Sequence, residues 1–193
     1  MKRFFALLLC LLLPLCGGCG QKSSAAADIQ EQYSRIAAAQ MEAEVTFHMP
    51  QEDRSFSLQC AYTPQQSTVT VTAPETVKGV TATVSAEELT IAYDGAVLSA
   101  GKAGSFGPVN ALPCLLRAIG SGYLMEEGRE MLEDVDCRRL TLDTAAGDTP
   151  LACTVWIDTQ TLLPRYAEFA SDGTVVISAK LLAFSCTLNE EEN

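Results

Sequence analysis

Few residues in this chain could do chemistry. It holds one histidine, His48, which would have to serve any Ser-His-Asp or Cys-His site. Around it, Met41, Ala43, Val45, Phe47 and Met49 alternate with Glu42, Glu44, Thr46 and His48. This two-residue period places the imidazole on the polar face of a strand beside Glu44, where a solvated histidine needs no catalytic role. Carboxylates are plentiful, 24 in all, but no spacing singles out an acid and base pair of the kind that cleaves glycosides. The sequence contains no glycine-rich phosphate loop, His-Glu metal motif or Gly-x-Ser-x-Gly elbow. The acidic stretch 126–136 lacks the Asp-x-Asp-x-Asp-Gly order of a calcium loop. The expectation is a protein that is not an enzyme and that needs neither metal nor cofactor.

Eight cysteines are the other reactive groups. Cys16 and Cys19 have CxxC spacing, but no second pair accompanies them. Cys60, Cys114, Cys137, Cys153 and Cys186 lie in the body of the chain. Cys137 and Cys153 flank an expected hairpin and could face each other across it as a disulfide. The other reading makes them small core hydrophobes with inert thiols.

Cys19 has the clearest address. Lys2 and Arg3 precede an apolar run from Phe4 to Leu15, broken by Pro14, and Gly17-Gly18 leads into Cys19. The run is about a dozen residues, short of the ~20 that a membrane-crossing helix needs. It reads as a secretory signal that is removed. Two small residues before a cysteine resemble the bacterial lipobox, with Cys16 where leucine is usual. The resemblance implies cleavage before Cys19 and acylation of its thiol with long, palmitate-like chains. One acyl chain holds a protein weakly, whereas two anchor it stably. The chain therefore divides into a lipoprotein signal peptide (1–18), a lipidated tether (19–27), a domain (28–188) and an acidic tail (189–193), held on the extracytoplasmic face of the cell membrane. The formal charge is −11, and loss of Lys2 and Arg3 makes the mature part more acidic. Such a surface repels phosphate backbones, which excludes nucleic acid as a partner, and it disfavours lying flat on anionic lipid.

The elements that carry these residues follow from periodicity. Asp28, with Glu31 in capping-box spacing, is expected to open a helix that runs to about Gln40, with Ile29, Tyr33 and Ile36 as its stripe. From Met41 the period becomes two, and it recurs at Phe56–Tyr62, Val69–Ala73, Val80–Val84 and Leu89–Tyr93, with Asp94-Gly95 as a hairpin signal. One-sided strands in this number describe an antiparallel meander with one covered face. A loop over 101–107 precedes a second helix, for which Asn110 is the expected cap, Pro113 the first-turn proline and Gly120 the stop. Its apolar side, Leu112, Leu115, Leu116 and Ile119, is expected to lie in the curve of the sheet. Residues 126–136 are expected to form a solvated loop or short helix, and three or four strands complete the chain, joined in part by turns at Gly147-Asp148 and Asp172-Gly173.

Trp156-Ile157-Asp158, then Thr161-Leu162-Leu163-Pro164, Glu168 and Asp172-Gly173, resemble the lipoprotein-carrier superfamily typified by the Lol proteins. Its members include mycobacterial lipid-carrier lipoproteins and a periplasmic sensor that binds an anti-sigma factor. The similarity spans Asp28 to about Leu188. It implies an α+β fold, a strongly curved antiparallel half-barrel wrapped around one to three helices, with an apolar cavity for acyl chains. Phe47, Leu58, Val71, Val80, Ile91, Leu112, Leu116 and Trp156 are the residues expected to line that cavity. The motif also has a local account: Asp158 can bond the turn backbone, Pro164 sets the next strand's entry and Trp156 adds area on the sheet. The expected function is binding of a lipid or acylated ligand. The alternative is an envelope sensor or assembly module that acts through a protein partner, with the same hollow as a filled core.

Overall fold

A computed structural model of the chain describes residues 24–85, 88–100, 106–146 and 149–189. The signal segment, Cys19, most of the tether, the loop at 101–105, the Gly147-Asp148 turn and the acidic residues 190–192 lie outside the described residues.

Helix α1 (Ala25–Ser34) leads into β1 (Ile36–Phe47), β2 (Arg54–Tyr62), β3 (Gln66–Ala73), β4 (Thr81–Ser85), β5 (Leu89–Tyr93) and β6 (Ala96–Ser99). Helix α2 (Pro108–Ser121) follows, then β7 (Tyr123–Leu132), β8 (Val135–Ala146), β9 (Thr149–Asp158), β10 (Pro164–Ser171) and β11 (Thr174–Leu188). All eleven strands form one antiparallel sheet in the order β6-β5-β4-β3-β2-β1-β11-β10-β9-β8-β7. Every neighbour is a sequence neighbour except β1 and β11, which join the two meanders. The sheet is curved and not closed, with β6 and β7 as its edges, and the segment containing α2 connects those edges across the hollow. The α+β half-barrel expected from the sequence is the fold observed.

The inner face is apolar because alternate residues point into it. Met41, Ala43 and Val45 of β1, Leu58 and Cys60 of β2, Leu140 and Leu142 of β8, and Val155 and Ile157 of β9 are at most 2% exposed. Against them lies α2, with Leu112, Leu115 and Ile119 at 0%. This helix touches β1, β2, β3, β4, β8, β9 and β11, so it fills the centre of the half-barrel as a plug. Arg117 is the helix's one charged residue, half-buried beside Tyr62 and Cys114.

Four expectations at element boundaries are corrected. The first helix starts at Ala25 and not at Asp28. The Ser24 hydroxyl accepts from the Ala27 N–H at 3.1 Å and caps it, and Asp28 lies in the first turn, where its charge favours the helix dipole. The helix also ends at Ser34, since Ile36 and Ala38 to Gln40 pair with β11; tertiary pairing overrides the helix preference of the alanines. In α2 the cap is Gly107, whose N–H donates to Asn110 Oδ1 at 2.8 Å, and Pro108 is the first-turn proline. Pro113 is interior, where its missing N–H leaves the Val109 carbonyl without its helical partner. Finally, residues 126–136 are two strand segments joined by a turn at Glu133-Asp134: β7 and β8 form a hairpin whose charges pair across it, Glu126 with Arg139 at 2.5 Å and Glu127 with Arg138 at 2.9 Å.

Helix α2 runs one residue past Gly120, and that glycine serves packing. A Cβ there would lie 3.0 Å from the Ser34 backbone N and 3.1 Å from the Tyr33 carbonyl carbon, so α1 would have to retreat. An alanine in a helix interior ordinarily gains up to about 1 kcal/mol over glycine. Here crowding outweighs that gain, and Gly120→Ala is expected to lower stability by roughly 1–2 kcal/mol in a denaturant titration. An unchanged or raised midpoint would mean that the two helices do not press together.

Candidate functional site

The residues expected to line a cavity divide into four groups. Leu58, Val71, Leu112 and Leu116, at 1%, 4%, 0% and 2% exposure, pack into one continuous core and are in contact with other side chains. Phe47 and Val80 lie at the margin of that core, partly buried. Trp156 is corrected outright: its neighbours Val155 and Ile157 point inward at 0%, so the indole is on the outer face. There it meets the Tyr166 ring at 5.5 Å and donates from Nε1 to Glu130 at 3.1 Å. The sequence motif that contains it is structural in the way its residue types suggest. Asp158 Oδ1 accepts from the N–H groups of Gln160 at 2.8 Å and Thr161 at 3.2 Å, Arg165 contacts its other oxygen at 2.9 Å, and Pro164 begins β10.

Ile91 belongs to a different part of the inner face. Strand register aligns Cys60, Val69, Ala82, Ile91 and Leu98 in one row across β2 to β6. Cys60, Val69 and Ala82 are at most 1% exposed, Ile91 is half-buried and Leu98 is 68% exposed. The row thus emerges from under the plug and ends in an open apolar wall. A small cluster of Ala82, Val84 and Leu89 supports it, and Val109 is the residue of α2 that reaches this cluster. The sequence pattern showed which face these residues share, but not where the helix would stop covering it.

On the outer face, His48 Nδ1 lies 2.9 Å from Asp53 Oδ2 and Nε2 lies 3.0 Å from Ser178 Oγ. The partners are Asp53 and Ser178, not the neighbouring Glu44, and their order is that of a catalytic triad. Two observations argue against catalysis. Ser178 is 8% exposed, and its backbone runs between the ladders of β1 and β10, which leaves no pair of free N–H groups to hold an oxyanion. The arrangement ties the turn after β1 to β11. The largest depression described on this face, about 420 Å³, is lined by polar residues such as Gln40, Glu42, Gln59 and Thr70. A second one, which sequence reasoning missed, lies under the tip of the β7–β8 hairpin. Leu132, Val135, Arg165 and Lys180, from four different strands, line it, so no local pattern in the sequence marks it.

The hairpin's acids set the acid stability of this region. Arg129 bonds the Asp136 carboxylate through Nε at 2.7 Å and through a second nitrogen, and Thr159 Oγ1 donates to it at 3.1 Å. These bonds hold the Asp136 carboxyl down at about 2. Asp158 is also held below its ordinary value, first by the Gln160 N–H and then, against its burial, by Arg165. A folded value below the unfolded one, about 3.9, stabilises the fold above that pH and ceases to as pH falls from about 4 toward 2. Asp136→Asn is expected to make the acid-side fall of the denaturation midpoint shallower over that window. A fall as steep as in the parent protein would show that the bonds do not persist in solution.

The five cysteines among the described residues are not arranged for reaction. Cys137 pairs across the ladder with Asp158, and Cys153 with Leu142, so the disulfide considered between them does not form. Cys60, Cys114, Cys137 and Cys153 are buried. Burial pushes the Cys60 thiol up to about 12 and Cys153 well above its ordinary value, which makes both poor nucleophiles.

No family model matches the chain, and no curated protein does. Solved structures do. A DUF1329 family protein from Desulfovibrio piger matches with 12% identity over 87% of this chain and 94% of its own, at a TM-score of 0.51. An uncharacterized conserved protein from Thermus thermophilus matches with 12% identity over 86% of this chain and 90% of its own, at 0.50. A putative outer membrane lipoprotein-sorting protein domain from Vibrio parahaemolyticus matches with 13% identity over 86% and 93%, at 0.49. The likeness is one of fold. It covers the curved antiparallel sheet and the helix that fills its hollow.

Proposed function

We propose that this chain is a membrane-tethered, extracytoplasmic lipoprotein that holds a lipid or acylated ligand against its half-barrel and does no chemistry on it. The observation that carries the reading is the open apolar wall at the β6 end, where Leu98 is 68% exposed on the same row as the buried Val69 and Ala82. An acyl chain laid on Ile91 and Leu98 would extend the core instead of displacing it, at a gain of ~0.8 kcal/mol per buried methylene. The leader, Gly17-Gly18-Cys19 and the acidic surface support a tether at Cys19 that places this wall near a membrane without adsorbing the domain to it.

Leu98→Asp tests the reading, because a carboxylate on the wall must be desolvated by any apolar ligand. The variant is expected to fold normally and to bind a neutral fluorescent lipid at least about tenfold more weakly than the parent chain. Equal binding by the two proteins would overturn the wall as the site. A second reading, a sensor or assembly module that acts by protein contact, is favoured by the close packing of Leu58, Val71, Leu112 and Leu116, which leaves the centre of the hollow filled. A parent chain that takes up no apolar probe under any condition would favour this module.

A further inference from the structure

The sheet forks between β10 and β11. Their register runs from Ser171 opposite Thr174 to Tyr166 opposite Lys180 and stops there, while β11 continues to pair with β1 as far as Leu188. Two adjoining depressions occupy the fork, of about 290 Å³ and about 120 Å³, and they share Arg165 and Leu181. Leu132 and Val135 of the β7–β8 hairpin overhang the larger one, and Leu182 and Phe184 line the smaller. Lys180 and Arg165 contribute two cations to this otherwise largely apolar trough. The hairpin tip above it, with Glu133 at φ 46° and Asp134 at 67°, meets the trough at Lys180, whose Nζ donates to both Glu133 carboxylate oxygens, at 2.8 and 3.2 Å.

We propose that this fork is a binding site for a single-chain anionic amphiphile, chemically a long-chain fatty acid. Its carboxylate takes the place of Glu133 on Lys180, and its chain runs along Leu181, Leu182 and Phe184. The site is separate from the wall of Ile91 and Leu98, and the inference does not depend on that wall. Charge chooses the ligand: in a strongly acidic protein, two cations line one largely apolar trough, and the acid on Lys180 is an exposed one from a hairpin tip. Glu133 is 71% and Lys180 49% exposed, so their pair is a surface pair of small net worth, and one carboxylate can replace another at little cost. Arg165 keeps its bond to Asp158, whose side chain is 5% exposed, and offers its remaining donors. Glu44, opposite Lys180 on β1, remains the second acid near the ammonium. The combined space is at the low end of the roughly 300–1,000 Å³ of small-ligand sites, which suits one chain and not two.

The test uses the full mature chain with oleate, oleyl alcohol and vesicles of anionic phospholipid as probes, and competition with a fluorescent fatty acid as readout. Lys180→Gln, an exposed substitution, is expected to weaken oleate about tenfold while leaving oleyl alcohol unchanged. Glu133→Gln removes the internal competitor and is expected to tighten oleate about threefold. Leu98→Asp is expected to leave oleate at the fork unaffected. Oleate affinity that is indifferent to Lys180→Gln, or equal to that of oleyl alcohol, overturns the proposal. Oleate binding lost in Leu98→Asp but not in Lys180→Gln overturns the fork and assigns the ligand to the inner wall. Binding to vesicles without binding to oleate overturns it in favour of a bilayer surface.

Discussion

Cys19→Ser should move the protein from the membrane fraction to the soluble fraction of cells that express it. The expectation rests on what else could hold it. No helix among the described residues is long and apolar enough to cross a membrane. The formal charge of −11 repels anionic headgroups. Two acyl chains at ~0.8 kcal/mol per buried methylene supply an anchor that no surface contact of this domain can match. Fractionation with mass measurement of the N-terminus checks it. The parent chain should be found in the membrane, cut before Cys19 and heavier by its acyl groups, and the variant should be soluble or uncut. A variant that still matures normally and stays in the membrane would rule out acylation at Cys19.

Leu112→Ala should cost the domain about 2–5 kcal/mol, a large share of the stability of a domain this size. Leu112 is fully buried in a helix that contacts seven strands, so its removal leaves a hole that no single element can relax to fill. The denaturant midpoint should fall with little change in slope. A loss below about 1 kcal/mol would show that the plug packs loosely and that the hollow holds spare room at its centre, contrary to the packing described above.

Much of the fold could be read because the strands are one-sided. The alternation at Met41 to Phe47 and at Leu89 to Tyr93 marks an inner face that the register confirms, and Asp94-Gly95 and Asp172-Gly173 mark turns whose positive φ values those residue types tolerate. The tip at Glu133-Asp134 adopts a positive-φ turn with no glycine and with Glu133 leading, so the sequence carries no Asp-Gly signal there and the stretch reads as loop or helix. Its strands were hidden for a related reason: edge strand β7 is stabilised by ion pairs to Arg138 and Arg139, and pairing across a ladder leaves no hydrophobic period. Ala38 and Ala39 failed in the opposite sense, as good helix formers recruited into β1 by β11.

The site was less legible than the fold. Period two assigns Leu58, Val71 and Ile91 to one face, but whether that face is filled or open depends on where α2 ends, which is a tertiary fact. The resemblance places Trp156 in the cavity, although its own neighbours Val155 and Ile157 carry the inward phase. The fork at Lys180 depends on where the β10–β11 register stops and where the hairpin tip lands, and neither leaves a mark on the local sequence.

The most direct measurement is the lipid content of the mature chain, made with Cys19→Ser so that the anchor's own acyl groups do not contribute, purified without detergent and examined by native mass spectrometry. A tethered lipid-binding half-barrel should carry an extractable acyl lipid in near-stoichiometric amount, or take one up saturably when it is supplied. Repeated ligand-free spectra, before and after lipid is supplied, would contradict it.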